Sequence, residues 1–186
     1  MNIFNQQPAV KPGDKCVWGG LPSSGRALAV VEAALKYSGL TLIITDTAQQ
    51  ASIQSRALEF FAAQRNLSIF TFPDWETLPY DIFSPHQDII SARLQTLAKL
   101  PNADHGVLIV PLTTLMHRIA PIDFVASRTF SYSIGEQLDR GLLQGQLSRA
   151  GYKRVDTVYE HGEFAFRGSI IDVFPMGVKT PFRMDL

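Results

Sequence analysis

The residues closest to a known chemical motif lie near the N-terminus, where Gly20 and Gly25 have the G-x-x-x-x-G spacing of a phosphate-binding P-loop. An apolar helical pattern follows. A working P-loop continues with Lys, which holds the β- and γ-phosphates, and then with Ser or Thr, whose hydroxyl binds Mg²⁺. Arg26 and Ala27 occupy those positions here. Arg26 keeps a cation of a different shape, whereas Ala27 has no group that could bind a metal ion.

Two interpretations of this motif stay open, because two glycines at this spacing also occur by chance. If the loop is real, the sequence predicts a nucleotide-hydrolase fold that does not hydrolyse nucleotide. Gly20, Gly25, Arg26 and Ala27 then form a degenerate P-loop without a working cofactor site.

No catalytic or metal-binding set is visible elsewhere in the sequence. His105, His117 and His161 lack metal-ligand spacing. Cys16 has no nearby histidine that could activate it as a nucleophile. We expect Asp88 to cap a helix or to interact with the positive end of its dipole. The sequence therefore predicts no catalytic residue and no metal site.

Two arginines offer a different chemistry. Gly168 separates two strand-like runs and predicts a bulge or a tight turn, which would bring Arg167 to the surface. Arg183, on the last strand-like run, could reach the same face. Arginines presented from a rigid sheet among aromatic side chains, here Phe166 and Phe174, are typical of a protein-binding hot spot. The alternative is that both are ordinary solvated arginines.

Residues 72–88 fit neither a helix nor a strand, because three prolines interrupt regular hydrogen bonding. Trp75, Tyr80 and Phe83 could form an exposed platform for a base or for a protein partner. The other interpretation is an ordered loop held in place by its own aromatic side chains.

Charge and composition exclude several classes of protein. The 17 Lys and Arg balance the 17 Asp and Glu, and no basic stripe suits nucleic-acid binding. The single cysteine excludes an internal disulfide and fits a reducing compartment. Residues 1–5 do not resemble a signal segment, and no apolar run reaches membrane-spanning length. We expect a cytoplasmic protein that does not interact with membranes.

Strands alternate with helices up to about residue 120, which predicts an α/β fold with a parallel sheet flanked by helices. This is the setting that a P-loop needs. The predicted helices are 27–37, 47–64 and 88–100, and the predicted strands are 40–45, 67–72 and 106–110. The continuous apolar run at 40–45 is typical of a strand buried on both faces.

The pattern changes after Pro121, so we predict two domains, at 1–122 and 123–186. The second would be a small α+β domain with a helix at 135–150. Its predicted strands are 128–133, 154–159, 163–166, 169–174 and 182–186. Because the sequence stops within a predicted strand, we expect this domain to be truncated at its C-terminus.

Several long, ungapped motifs resemble the N-terminal region of the bacterial transcription-repair coupling factors, the Mfd family. They are residues 75–81 (WETLPYD), 84–94 (SPHQDIISARL), 160–163 (EHGE) and 167–175 (RGSIIDVFP). This region in turn resembles the first two domains of UvrB, the damage-verifying ATPase of nucleotide excision repair. The resemblance implies a degenerate P-loop domain like UvrB domain 1a, followed by a domain like UvrB domain 2 that docks on UvrA.

The resemblance also implies roles for individual residues. Arg167 and Arg183 fall on the UvrA-contacting positions, with Gly168 between the strands and Phe166 and Phe174 as flanking contacts. The segment at 75–88 is too short for the DNA-threading hairpin of UvrB. Full-length family members are ATP-dependent DNA translocases that displace stalled RNA polymerase. Their motor, with ATP and Mg²⁺, and their contacts with polymerase and double-stranded DNA lie outside this sequence.

The leading hypothesis is therefore a non-enzymatic recruiting module that binds UvrA and brings excision repair to a stalled polymerase. One alternative is a nucleotide-binding P-loop enzyme domain, which Ala27 disfavours because the magnesium ligand is missing. Another is an autoinhibitory domain whose UvrA-binding surface is masked by other domains of the full-length chain.

Overall fold

The structure is a computed structural model, and it describes residues 11, 13–78, 80–130 and 132–186. Residues 1–10, which include the stretch used to judge the presence of a signal segment, lie outside the described residues. The described chain contains six α-helices and seven strands. In chain order they are α1 (Ser23–Lys36), β1 (Leu40–Thr45), α2 (Ala48–Ala62), β2 (Ile69–Thr71), α3 (Gln87–Lys99), β3 (Gly106–Pro111), α4 (Leu112–Leu115), α5 (Ile122–Ala126), α6 (Arg140–Arg149), β4 (Lys153–Arg154), β5 (Glu163–Arg167), β6 (Ile170–Phe174) and β7 (Phe182–Asp185).

The chain forms two compact units. The first contains the described residues of Met1–Asp74 together with Asn102–Arg118, and the second contains those of Trp75–Pro101 and Ile119–Leu186. These units do not coincide with the predicted domains, 1–122 and 123–186, because α3 belongs to the second unit. Whether the predicted domains correspond to those of UvrB stays a prediction.

The first unit is built on a three-stranded parallel sheet with strand order β1-β3-β2. Leu42 pairs with Leu108, and Phe70 pairs with Leu108 on the other side. Helices α1 and α2 pack on one face of this sheet, and their core includes Ala27, Val31, Leu58, Val107 and Ile109. The predicted α/β class, with a parallel sheet and helices, is confirmed.

Strand β1 departs from the prediction of burial on both faces. Leu40, Leu42 and Ile44 are 38%, 48% and 53% exposed. The prediction is wrong because β1 is an edge strand and because α1 and α2 pack on the opposite face, where Ile43 contributes to the core. The apolar run identified a strand but did not reveal which of its faces a helix covers.

The second unit contains a four-stranded sheet with strand order β4-β5-β6-β7. Strands β4 and β5 are parallel, and the other neighbours are antiparallel. Leu143 and Leu147 of α6 pack against Phe164, Ile171 and Val173 on one face of the sheet. The register places Phe164, Phe166, Ile171, Val173 and Met184 on this common face, because alternate residues of a strand share a face.

Two predicted strands of the second unit are wrong. Residues 128–130, 132 and 133 are not in a strand, and Ser131, also within the predicted 128–133, lies outside the described residues. The strand predicted at 154–159 is reduced to β4, and a turn follows it. Alternation of polar and apolar residues predicted the first strand, and a short β-like run predicted the second, but a strand forms only where its backbone finds a partner.

Helix α3 is held to the second unit by polar groups. The Gly177 N–H donates to Ser91 Oγ at 2.7 Å, and the Gln95 side-chain amide donates to the Gly177 carbonyl. Ser91, Arg93 and Thr96 are the buried residues of this helix. The sequence predicted the helix itself but not its polar buried face, because the isoleucines and leucines suggested an apolar stripe.

Candidate partner-binding surface

The two arginines predicted to bind a partner lie on one face of the β5–β6–β7 sheet. Arg167 pairs with Ile170, and Arg183 pairs with Asp172, two residues further along β6. Residues directly opposite each other, and residues two apart in a strand, share a face of a sheet. Because α6 packs on the other face, the sheet presents both arginines on the face away from its apolar core.

The Arg183 guanidinium is held by a buried carboxylate. Its Nε lies 2.7 Å from Asp172 Oδ1 and its Nη2 lies 2.9 Å from Asp172 Oδ2, a bidentate pair. Asp172 is only 9% exposed, whereas the Arg183 side chain is 64% exposed. The hydrogen bonds from Arg183 lower the pKa of the Asp172 carboxyl, and the charge of Arg167 acts in the same direction.

The Arg167 guanidinium is held by the turn that follows β4. Its Nε and Nη2 donate to the Asp156 carbonyl at 3.1 and 2.7 Å, and Nη2 also donates to Thr157 Oγ1 at 3.1 Å. Arg167 itself is exposed. Both arginines therefore have a fixed orientation before any partner binds, which lowers the entropy that ordering them would cost on binding.

Gly168 provides the turn between β5 and β6. Arg167 and Ile170 are the last pair of the ladder, so Gly168 and Ser169 form a two-residue connection. Gly168 has a φ of +57°, a left-handed conformation that glycine adopts without a steric penalty. The predicted tight turn is confirmed.

The two phenylalanines predicted as flanking contacts are placed differently from the arginines. Phe166 lies on the core face, where its ring meets Phe164 edge-to-face at 5.7 Å. Phe174 shares the arginine face but is 9% exposed, because the His161 ring stacks on it at 4.0 Å. Neither ring stands free beside the arginines.

His161 is a residue whose importance the sequence analysis missed. Its Nδ1 lies 3.1 Å from Asp88 Oδ1, and its Nε2 lies 2.7 Å from the Val178 carbonyl. It therefore connects the first turn of α3 to the segment that follows β6. Spacing in the sequence could not identify this role, because His161 and Asp88 are 73 positions apart. Asp172 and Thr157 were missed for the same reason.

The degenerate P-loop does not have the geometry of a phosphate cradle in the described residues. Helix α1 starts at Ser23, so Gly25, Arg26 and Ala27 are helical, and only Gly20 lies in the preceding segment. Pro22 is the N-cap of α1, and no side chain makes a capping hydrogen bond there. Ala27 is completely buried in the core of the first unit.

The segment before α3 has one aromatic side chain that is held in place, as in an ordered loop, and two that are exposed, as in a binding platform. Trp75 is held in place, with the Arg93 guanidinium 3.9 Å from the centre of its ring. Tyr80 and Phe83, in contrast, are 103% and 80% exposed. His86 is the N-cap of α3, and Asp88 lies in the first turn, as expected for a residue that favours the helix dipole.

The described residues contain neither a metal-binding cluster nor a membrane-spanning helix. No group of three or more His, Cys, Asp or Glu is placed there to hold a metal ion. None of the helices described is both long and apolar enough to span a membrane.

Comparison with known protein families matches residues 130–186 to the UvrB interaction domain. The chain is also 44% identical over 176 residues to the transcription-repair-coupling factor of Escherichia coli K12, and 40% identical over 183 residues to that of Haemophilus influenzae. The chain is related to the transcription-repair-coupling factors. Staphylococcus epidermidis has a more distant relative of the same name, 26% identical over 186 residues.

The resemblance expected from the motifs is thereby confirmed. The matches cover 95% and 98% of this chain but only 15% and 16% of the Escherichia coli and Haemophilus relatives. The chain thus corresponds to about a sixth of a transcription-repair-coupling factor. Its matched interaction domain contains β4–β7 and α6, and with them both arginines.

Proposed function

We propose that this chain is the recruiting module of a transcription-repair-coupling factor, and that it binds UvrA through Arg167 and Arg183. The observation that supports this most directly is the arginine surface, in which both guanidinium groups are held on one face of the sheet yet remain exposed. Arginine offers a planar set of donors that pairs with carboxylates, so the partner should present acidic side chains there.

The two arginines leave different donors for a partner. Arg183 uses Nε and Nη2 for Asp172, and Arg167 uses Nε and Nη2 for the turn after β4. In each case, Nη1 makes none of these bonds. A partner carboxylate can therefore approach both groups without breaking the contacts that orient them. Gly168 contributes the turn between the strands and no side chain.

Other parts of the proposed function concern the longer protein that the relatives represent. We propose that the full-length protein is an ATP-dependent DNA translocase that displaces stalled RNA polymerase, and that this segment directs excision repair to that site in the cytoplasm. The segment itself would bind neither ATP nor Mg²⁺ and would hydrolyse no nucleotide. The burial of Ala27 in the core supports this, since that position contributes to packing.

The test is calorimetric titration of purified UvrA with this chain and with the Arg167→Ala/Arg183→Ala variant. Truncating two exposed, pre-oriented arginines should weaken binding on the order of 10- to 100-fold. The matched control is Arg154→Ala/Lys179→Ala, which removes the same charge from other exposed positions of the second unit. It should change the affinity about twofold or less.

Circular dichroism would show that each variant is folded. If the folded Arg167→Ala/Arg183→Ala variant bound UvrA as tightly as the wild-type chain, the assignment of the arginines would be wrong. If the wild-type chain itself did not bind UvrA, the recruiting function of this segment would be refuted.

A further inference from the structure

Four large apolar side chains are exposed within six residues just before α3. Leu78, Tyr80, Ile82 and Phe83, hereafter the apolar loop, are 74%, 103%, 95% and 80% exposed. Single exposed apolar residues are common on protein surfaces, but such clusters mark places where another molecule binds. The arginine surface does not include these residues, and the proposed UvrA contact does not explain their exposure.

The apolar loop is held in a defined conformation. The Asp81 N–H donates to the Leu78 carbonyl at 3.1 Å, and the Leu78 N–H donates to Asp81 Oδ2 at 2.7 Å. Tyr80 has a φ of +77°, a left-handed conformation that is strained for a non-glycine residue. These two hydrogen bonds favour a tight turn that leaves the apolar side chains in solvent.

Both ends of the segment are anchored to the second unit. On one side, Trp75 lies against the Arg93 guanidinium at 3.9 Å. On the other side, His86 caps α3, with its Nδ1 accepting from the Asp88 N–H at 3.3 Å. A loop anchored at both ends loses less entropy when it binds, which favours a role in recognition.

The apolar loop belongs to a different part of the second unit from the turn at Gly168. Asp88, which follows the loop, contacts His161, and His161 stacks on Phe174 at the end of β6. Strand β6 starts at Ile170, beside Arg167, and the four steps to Phe174 span about 13 Å. Arg183 pairs with Asp172, which is two steps, about 7 Å, from Phe174. A partner could therefore occupy the loop without using Arg167.

The charge around the loop indicates the kind of partner. Residues 75–92 contain Glu76, Asp81 and Asp88 but no Lys or Arg, and the next cation, Arg93, lies against the Trp75 ring. Nucleic acids and anionic lipid surfaces attract cationic protein segments, so neither suits this one. We infer that the apolar loop is a second docking surface, and that it binds a protein with an apolar pocket or stripe bordered by Lys or Arg.

Two fluorescent peptides of about 18 residues, each forming an amphipathic helix of five turns, would test this chemistry. One has leucine on one face and lysine on the other, and its counterpart has glutamate in place of lysine. In anisotropy titrations of the whole chain, the lysine peptide should bind at least about tenfold more tightly. Tyr80→Ser/Phe83→Ser should reduce that binding about tenfold or more.

Phe60→Ser/Met116→Ser provides the matched control, because these side chains are 76% and 82% exposed in the first unit. It should change peptide binding about twofold or less. Equal binding of the two peptides, or an equal loss in both double variants, would overturn the inference. So would binding of the chain to phosphatidylserine vesicles, since the partner would then not be a cationic protein surface.

A second copy of the chain is the other possible occupant, and sedimentation velocity tests for it. The inference predicts a monomer whose sedimentation does not depend on Tyr80 and Phe83. A dimer that Tyr80→Ser/Phe83→Ser dissociates would overturn it. Because the four side chains are exposed, the variants should fold, and Ile82→Ser offers an independent substitution with the same expected loss of peptide binding.

Discussion

The first unit covers one face of a neutral parallel sheet with two helices, whereas the second unit covers one face of a mixed sheet and leaves arginines on the other. Small side chains such as Ala27 and Ala34 fill much of the first core. The second core is aromatic, with Phe164 at its centre, and its opposite face has the Arg183–Asp172 pair. A sheet face can therefore provide fold stability or partner recognition, and we propose that the two units divide these tasks.

The same difference separates the degenerate P-loop, in the first unit, from the arginine surface, in the second. In the first unit, the position that would bind magnesium holds an alanine that packs in the core. In the second unit, the exposed arginines are oriented by groups on the neighbouring strand and in the turn after β4, which lie 10 or 11 residues away in the sequence. Variants that target each unit separately can test this division.

The largest effect is expected for Phe164→Ala, in the aromatic core of the second unit. Phe164 is 1% exposed, so its loss should lower the free energy of unfolding by about 3–5 kcal/mol. Urea unfolding can be followed by Trp75 fluorescence in a Trp18→Phe background, where Trp75 is the only tryptophan left. Phe60→Ala, at a 76% exposed position, should change stability by about 0.5 kcal/mol or less.

The affinity of the same two variants for UvrA would also distinguish the roles of the two units. Phe164→Ala should weaken it by unfolding the sheet that presents the arginines, and Phe60→Ala should leave it unchanged. If Phe164→Ala kept full stability, the aromatic core would not support the second unit as described.

A smaller effect is expected for Ala27→Thr, which restores the hydroxyl of a working P-loop. Because Ala27 is completely buried, the larger side chain should overpack the core and cost about 1–3 kcal/mol. Arg26→Lys, at an exposed position of the same helix, is the matched control and should change stability by about 0.5 kcal/mol or less. Thermal unfolding followed by circular dichroism would measure both.

The double variant Arg26→Lys/Ala27→Thr should still not gain nucleotide binding, since Gly25 lies inside α1 and not in a cradle. Millimolar MgATP should leave the Tm of the wild-type chain and of this variant within about 1 °C. A clear rise in the Tm of the wild-type chain with MgATP would show that the first unit binds nucleotide, and the division of tasks would fail.

The smallest effect concerns the pH dependence of the second unit. Hydrogen bonds from Arg183 lower the pKa of Asp172, and the Tyr159 and Glu160 N–H groups lower that of Glu163. A carboxyl whose folded pKa lies below its unfolded value stabilises the fold above the unfolded pKa of about 4. That stability is lost as the pH falls through the folded pKa.

Urea unfolding between about pH 7 and about pH 3 should therefore show a shallower loss of stability for Asp172→Asn than for the wild-type chain. Asp185→Asn is the control, because Asp185 is exposed on the same sheet and accepts a bond from Ser169. Its pH dependence should stay close to that of the wild-type chain. If Asp172→Asn left the pH dependence of the free energy of unfolding unchanged, the Asp172 carboxylate would not stabilise the arginine surface as described.

The sequence predicted the elements whose signals are local. The short β-like runs at 163–166 and 169–174 identified β5 and β6, Gly168 identified the turn between them, and the helical spacing identified α3 to within one residue at each end. The family resemblance also needed only contiguous motifs. The two wrong strands have one cause, because residues 128–130, 132 and 133 are in no strand and only Arg154 of 154–159 belongs to one.

The sequence by itself determined the α/β class and the kinship with transcription-repair-coupling factors, because residue types and contiguous motifs encode these properties. It also predicted Arg167 and Arg183 as contact residues. Only the tertiary structure decided that Asp172 holds Arg183, that His161 covers Phe174 and that Ala27 belongs to a core. Each of these depends on which distant segments meet. Burial and pairing follow from strand register and from the face that a helix covers, and no local spacing specifies either of them.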